Sequence, residues 1–172
     1  MIMSIVIGYL ILLCTGLAQA QGRSPEIKRN LYVQGDEYTK ACSPSERKKL
    51  QQSVKRAAGR SRDADGAWRL VETLLCAPDS KAGRRYLTSV LPPKIRFKSS
   101  GTGQEDTSEL IRRDGELIES LLAKGEAWNA IISSESTEII LSYYPNEACI
   151  SSRTLNFINK RWRLVEMSEA CD

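Results

Sequence analysis

The chain has 172 residues, with 25 lysines and arginines against 21 aspartates and glutamates, five cysteines and no histidine. Because histidine is absent, the sequence excludes Ser-His-Asp and Cys-His catalysis and any histidine-ligated metal. The length fits one domain, and 27% charged with 41% hydrophobic residues is an ordinary globular composition.

The first 20 residues have the pattern of an export signal. They carry no charge, and an apolar run from Ile2 to Leu13 leads into Ala18-Gln19-Ala20, with the small residues that signal peptidase accepts before a cleavage site. The run is shorter than the about 20 residues that a membrane span needs, and cleavage after Ala20 would also remove Cys14, the alternative lipidation site. The pattern predicts a periplasmic or secreted protein with no membrane anchor after cleavage.

Residues 21–42 are polar with no sustained periodicity, and we expect an extended or partly ordered leader before a single domain over 43–172. Three helices should open this domain. In the first, Ser43 is the expected N-cap, Pro44 takes the first helical position and Glu46 completes a capping box. The first helix should end near Gly59, the second should run from Asp63 or Asp65 to just before Pro78, and the third from Asp79 or Ser80 to Leu91.

The remaining elements are predicted from changes in the spacing of apolar residues along the sequence. Residues 94–98 alternate as a strand does, 99–106 have a loop composition, and paired apolar residues over 107–124 predict one long helix. The period then changes to two, which predicts an antiparallel meander of four strands: 126–133, 137–144, 148–158 and 161–167.

The last two strands should form a hairpin with its turn at 159–160. Residues whose numbers sum to 319 then face each other, which places Phe157 opposite Trp162 and Leu155 opposite Leu164. The same register pairs Arg153 with Glu166. This would be a surface ion pair, which contributes little to the stability of the fold.

Four cysteines remain after signal cleavage, and an even number in an oxidising compartment implies two disulfides with three connectivities to choose from. In the hairpin Cys149 falls one residue from facing Cys171, a gap that a small bulge would close, so Cys149–Cys171 is favoured. Cys42–Cys76 follows by elimination. No CxxC pair is present, so a zinc site is disfavoured, and we expect no metal and no cofactor.

The expected fold is therefore α+β, with N-terminal helices packed on a curved, C-terminal four-stranded antiparallel meander and two disulfides. The element order, the step through Pro92-Pro93 into a strand, and the terminal strand Lys160–Val165 resemble the NTF2-like (cystatin-like) cone over roughly residues 44–167. The resemblance implies a pocket on the concave sheet face, which some enzymes of that superfamily equip with an Asp base and a Tyr donor. Aromatic residues are available, but no acidic residue matches that base; the aromatics are Tyr86, Trp128, Tyr143 and Tyr144.

Charge is split along the chain, since residues 21–98 carry a net +10 and residues 99–172 a net −6. One interpretation is a basic helical face for an anionic partner, and the other is a solvated face neutralised by the acidic half. At helical spacing the basic positions spread widely, which favours the second interpretation. Nucleic acid is a disfavoured partner because an exported protein is separated from it. In addition, no aromatic residues that could stack on bases lie between the basic positions. The candidate contact residues of this face are Arg47, Lys48, Lys55 and Arg56.

Two further candidates are a contact loop and an acid pair. Tyr143, Tyr144 and Asn146 lie at a turn next to Cys149, where they form either a contact surface or simply the turn. Asp114 and Glu116 would matter only in a cavity with a tyrosine.

These features predict a small, exported, non-enzymatic binding protein, of the periplasmic immunity or inhibitor type, with an envelope or secreted protein as its partner. The alternative is a pocketed small-molecule binder or an Asp/Glu-Tyr enzyme of the NTF2-like kind. An exposed patch would favour the first, and a cavity with a buried carboxylate the second.

Overall fold

The computed structural model describes residues 29–34, 39–59, 62–77, 81–135 and 137–172. The predicted signal peptide lies outside the described residues. The described residues form an α+β domain whose elements are β1 (Arg29–Val33), α1 (Pro44–Ala58), α2 (Ala64–Cys76), α3 (Lys81–Val90), β2 (Lys94–Gly101), β3 (Thr107–Arg112), α4 (Gly115–Leu121), β4 (Trp128–Glu135), β5 (Glu138–Asn146), β6 (Cys149–Ile158) and β7 (Arg161–Cys171).

All seven strands belong to one mixed sheet in the order β1-β4-β5-β6-β7-β2-β3. The strands β4 to β7 form the predicted meander, but the prediction of a four-stranded antiparallel sheet is wrong. β1 pairs with β4 at one edge, and β2 lies parallel to β7 with β3 beyond it at the other edge. Strands that are distant in the sequence add to the meander, and such pairings leave no periodic signal in a single chain.

The long helix predicted over 107–124 is also wrong. Thr107–Arg112 forms β3, which pairs with β2 in an unbroken antiparallel register. The side chain of Asp114 then caps the short helix α4 by accepting a hydrogen bond from the amide of Leu117 (2.9 Å). Apolar pairs spaced seven residues apart fit a helix, but here an aspartate N-cap separates a strand from a helix of two turns.

The start of the domain contains a strand for which the sequence offered no periodic signal. Tyr32 of β1 is buried and donates its hydroxyl hydrogen to Glu46 of α1. The Ser43 side chain makes no capping hydrogen bond, so the predicted capping box does not form. The amide of Gln34 is also buried, and its Oε1 accepts from the backbone of Ala130 (3.1 Å). Buried hydrogen bonds thus attach β1 both to α1 and to the neighbouring strand β4.

The core lies between the helices and one face of the sheet. Alternate residues of β5 and β6 are buried, and they pack with the apolar side of α2, where Leu70, Leu74 and Leu75 are fully buried. The helices contact the sheet at β1, β4, β5 and β7. No helix among the described residues is long and apolar enough to cross a membrane.

Both predicted disulfides are confirmed. The Cys42–Cys76 disulfide joins the segment just before α1 to the end of α2, with the two Cα atoms 5.5 Å apart. Cys149 and Cys171 join β6 to β7, with their Cα atoms 4.1 Å apart. Two disulfides are compatible with an oxidising compartment outside the cytosol.

The hairpin register confirms that Phe157 faces Trp162. A register shift between Thr154 and Leu155 then moves the pairing by one residue, so that Cys149 faces Cys171 as expected. The same shift makes the predicted Arg153–Glu166 pair wrong. Arg153 faces Met167 and is only 1% exposed, with its guanidinium donating to the carbonyl of its neighbour Ser152 (3.0 Å).

Candidate anion-binding cleft

A cleft of about 600 Å³ opens between the start of α2, the length of α3 and the turn that leads into β7. Each of these three elements contributes one arginine to its lining: Arg69, Arg85 and Arg161. All three side chains belong to exposed residues. We call this site the arginine cleft.

The first wall of the arginine cleft is the amino-terminal part of α2. Asp63 is the N-cap of this helix, and its side chain accepts a hydrogen bond from the amide of Gly66 (2.9 Å). This cap fixes where the helix starts and therefore places Arg69 on the turn that follows. Asp63 is also the one carboxylate among the described residues that line the cleft.

The second wall is α3, which presents Arg85 and Tyr86 to the cleft. The neighbouring Arg84 points elsewhere, since it forms an ion pair with Glu119 of α4 (2.6 Å). The Nε of Arg85 donates only a long hydrogen bond to the carbonyl of Lys81 (3.4 Å). Two adjacent arginines thus have different environments, one paired with a carboxylate and one facing the cleft.

The third wall is the β6–β7 hairpin. Its turn residues Asn159 and Lys160 both have positive φ (51° and 62°), the conformation of a tight hairpin turn that matches the twist of the strands. The turn places Arg161 and Trp162 at the cleft. Trp162 packs on Phe157 with ring centroids 5.4 Å apart and is only 3% exposed.

The indole nitrogen of Trp162 is buried, and its N–H has no acceptor in the described part of the chain. A buried donor without an acceptor costs roughly 1–3 kcal/mol of folding free energy. Such a donor in the wall of a cleft is the kind of group that a bound ligand or water satisfies.

The positive charge of the arginine cleft is not neutralised by the described residues. Arg69 makes no ion pair with any residue that the structure describes, and its guanidinium carbon lies 4.5 Å from the centre of the Tyr86 ring. The Arg85 and Arg161 side chains have no carboxylate partner either among the residues that the structure describes. Among the described lining residues, three guanidinium groups against the one carboxylate of Asp63 give a net charge of about +2.

Burial and the charges of the cleft both affect the pKa of the Tyr86 phenol. Burial raises the pKa of its phenol above the usual value, and the nearby carboxylate of Asp63 raises it further, whereas the charge of Arg69 lowers it. The phenol therefore stays protonated at neutral pH and can donate or accept a hydrogen bond in the cleft.

Two of the four candidate residues of the basic face predicted on α1 are paired with α2. Arg47 forms an ion pair with Glu72, and Lys55 forms one with Asp65 (2.6 Å). Lys48 and Arg56 are exposed. The partners therefore come from the basic half of the sequence itself, rather than from the acidic half that we expected to neutralise it.

The predicted contact loop is divided between core and surface. Tyr143 is 2% exposed and lies 5.6 Å from the guanidinium of the buried Arg153, so its ring is part of the core. Tyr144 is half-buried and Asn146 is exposed. The Oδ1 of Asn146 accepts a hydrogen bond from the amide of Ala148 (2.9 Å), the geometry of an Asx turn.

The two acidic residues considered as a pair lie at the start of α4. Asp114 caps this helix, and Glu116 is exposed in its first turn. Glu119 of the same helix pairs with Arg84 and lies 3.7 Å from the Lys124 ammonium group. Within the described ranges, no group of three or more Cys, Asp or Glu side chains is arranged to hold a metal ion.

Sequence reasoning did not bring the cleft residues together. In the sequence, Arg161 and Trp162 belong to the terminal hairpin strand, with Trp162 expected to face Phe157, and Tyr86 is one of the available aromatic residues. Arg69 and Arg85 look like ordinary solvent-facing residues of amphipathic helices. The one local signal is that Arg161 and Arg163 flank a tryptophan directly after a tight turn.

Comparisons with protein-family models, with curated proteins and with solved structures give no significant match. The resemblance to the NTF2-like cone therefore stays a prediction.

Proposed function

We propose that the chain is an exported, non-enzymatic binding protein that holds an acidic group of an envelope or secreted partner protein in the arginine cleft. The observation that carries this proposal is the convergence of three guanidinium groups on one cleft without a described carboxylate partner. Guanidinium groups bind carboxylates through two parallel hydrogen bonds, which gives both affinity and orientation.

The two disulfides support the proposal that the chain is exported. They staple the start of α1 to the end of α2 and the two last strands to each other, and both cross-links need an oxidising compartment to persist. The uncharged, apolar residues 1–20 provide the corresponding export signal.

Affinity capture with matched variants tests this function. The mature chain from residue 21, with both disulfides intact, is used as bait in an envelope extract, beside a triple variant Arg69→Gln/Arg85→Gln/Arg161→Gln and a control variant Arg56→Gln on α1. We expect one stoichiometric protein partner with the wild type and the control, and its loss with the triple variant.

Retention of the partner by the triple variant would contradict the role of the cleft, and capture of a small metabolite alone would contradict the protein-binding function. Amino-terminal sequencing of the exported chain tests the location separately. We expect it to begin at Gln21, and an intact Met1 in a membrane fraction would contradict export.

A small-molecule ligand is the second candidate, because about 600 Å³ lies within the size range of small-ligand sites. It would also use the arginines, so the capture experiment distinguishes the two by what is recovered.

A further inference from the structure

We infer that the arginine cleft receives two neighbouring carboxylates of an acidic segment of the partner, rather than a single anionic group. This inference rests on the proposed function and specifies the chemistry of the bound group. Among the described residues of the lining, three guanidiniums and the carboxylate of Asp63 give a net charge of about +2. One bound carboxylate would compensate only half of that charge, and two would compensate all of it.

The placement of the arginines also favours two separate groups. They extend from three different elements, α2, α3 and β7, so they surround the cleft instead of converging from one helix. In a cleft of about 600 Å³, a compact inorganic dianion fills only a small part of the space between these walls. Two carboxylates on adjacent side chains are spaced apart, and each can meet a different guanidinium fork.

Asp63 limits the charge that the cleft accepts. Its carboxylate already caps α2 through Gly66, which occupies the end of the helix where anions otherwise bind. A third negative group on the ligand would face this carboxylate, and the described lining residues offer no further cation to compensate it.

The remaining lining suits the carbon atoms of an acidic peptide. The ring of Tyr86 and the side chains of Val90 and Ala82 line the same cleft, and Arg69 is held over the Tyr86 ring at 4.5 Å. A guanidinium stacked on an aromatic face keeps its plane and its donors in place, so less side-chain freedom is lost when a carboxylate binds.

The experiment is a titration of the ¹⁵N-labelled mature protein, with both disulfides intact, followed by NMR. The probes are three capped tetrapeptides, Gly-Glu-Glu-Gly, Gly-Glu-Gln-Gly and Gly-Gln-Gln-Gly, and inorganic phosphate. The indole N–H signal of Trp162, which lines the cleft, is the readout, and the signals of Trp68 and Trp128, outside the cleft lining, are internal controls. We expect the Glu-Glu peptide to bind about tenfold or more tightly than the Glu-Gln peptide, since each charge-assisted pair contributes on this scale.

The outcomes separate this inference from the proposed function. Equal affinity for the Glu-Glu and Glu-Gln peptides would overturn the inference of two carboxylates and leave an acid-binding cleft. Phosphate binding as tightly as the Glu-Glu peptide would overturn the assignment to a peptide segment. If no probe shifts the Trp162 signal, both the inference and the role of the cleft in the proposed function fail.

Single variants identify the contributing guanidiniums. Arg69→Gln, Arg85→Gln and Arg161→Gln should each weaken the Glu-Glu peptide by about tenfold and remove its advantage over the Glu-Gln peptide. Arg161→Lys keeps the charge but loses the planar fork, so an intermediate affinity is expected. Because all three arginines are exposed, these variants should fold normally, which the unchanged signals of Trp68 and Trp128 would verify. Weakening by the Arg56→Gln control to the same extent would overturn the assignment to the cleft.

Discussion

Arg47 and Lys55 of α1 are paired with carboxylates, whereas no described carboxylate pairs with Arg69 in the arginine cleft, although the helix α2 belongs to both regions. Asp65 lies four residues before Arg69 and Glu72 lies three residues after it, which are the spacings of ion pairs within a helix. Yet Asp65 pairs with Lys55 of α1, and Glu72 pairs with Arg47 of α1. The α1 cations thus occupy the carboxylates that Arg69 would otherwise use.

This difference teaches that the unpaired state of a cation is a property of the tertiary structure. By residue type and local sequence, Arg69 is as easily neutralised as Arg47. Its guanidinium remains available, over the ring of Tyr86, because a neighbouring helix takes both acidic residues. The basic face of α1 therefore supports the cleft indirectly, and the predictions that follow test that link.

Loss of the Cys42–Cys76 disulfide should have the largest effect. Cys42→Ala/Cys76→Ala removes a cross-link between residues 34 positions apart and should lower the free energy of unfolding by about 3–4 kcal/mol. Since this link holds the start of α1 against the end of α2, it should also loosen the α1–α2 ion pairs. Urea denaturation measures the first effect, and peptide titration of the cleft measures the second.

The matched control is Cys149→Ala/Cys171→Ala, which opens a shorter loop of 22 positions in the hairpin and does not touch the α1–α2 contact. It should destabilise the fold by about 3 kcal/mol with cleft affinity retained. A greater loss of affinity in this control than in the Cys42 variant would contradict the proposed link.

The contact between β1 and α1 should have the next largest effect. Tyr32→Phe removes the donor to the buried Glu46 and should cost about 1–3 kcal/mol of unfolding free energy at pH 7. The contribution of the Tyr32 hydroxyl to stability should also change with pH in the alkaline range. Burial, the hydrogen bond to Glu46 and the charge of Glu46 all raise the pKa of Tyr32 well above its usual value.

Because the folded chain holds this proton to higher pH than the unfolded chain, the contribution of Tyr32 is complete below about pH 10 and is lost as the pH rises further. Urea denaturation between pH 8 and pH 11 should therefore show a decline in stability that is shallower in Tyr32→Phe. A residual decline should remain, because burial also raises the pKa of Tyr86. An identical slope for wild type and variant would contradict the buried Tyr32–Glu46 contact.

The smallest effect tests the link between the two regions directly. Arg47→Gln/Lys55→Gln frees Glu72 and Asp65, and we expect these carboxylates to pair in part with Arg69 and to weaken binding of the Glu-Glu peptide about two- to fivefold. Pairs within a helix stabilise by only about 0.2–0.5 kcal/mol each, which sets this modest size. The control is Lys48→Gln, which removes an exposed cation of the same helix, and equal weakening by the control would show that net charge alone is responsible.

The elements of the domain were predicted unevenly. Both disulfides and the 157–162 pairing followed from the sequence, because a tight turn fixes the register of a hairpin over the residues next to it. The Arg153 pairing failed four residues further along, at the register shift. The helix predicted over the residues of β3 is wrong, since apolar pairs at a spacing of seven do not distinguish a continuous helix from a strand followed by a capped turn.

The arginine cleft was not predicted at all. Its residues lie on two helices and a strand that are far apart along the chain, and none carries a motif of fixed spacing. The dense basic positions of α1 stand out in the sequence instead, with a neutralised face as the favoured interpretation, and Arg47 and Lys55 are in fact paired. A high density of basic residues in the sequence describes only the composition. Whether a basic side chain is available to bind an anion depends on which carboxylates pack near it in the fold.

The sequence by itself determined the α+β class, the helices α1 to α3, the strands of the meander and the cysteine pairing, while the export signal stays a prediction. These follow from local forces: capping, side-chain period, turn geometry and the chemistry of an oxidising compartment. Only the tertiary structure decided the order of the seven strands, the burial of Tyr143 and the unpaired state of Arg69. Each of these depends on contacts between segments distant in the chain, whose energy is set by packing and by competition for partners.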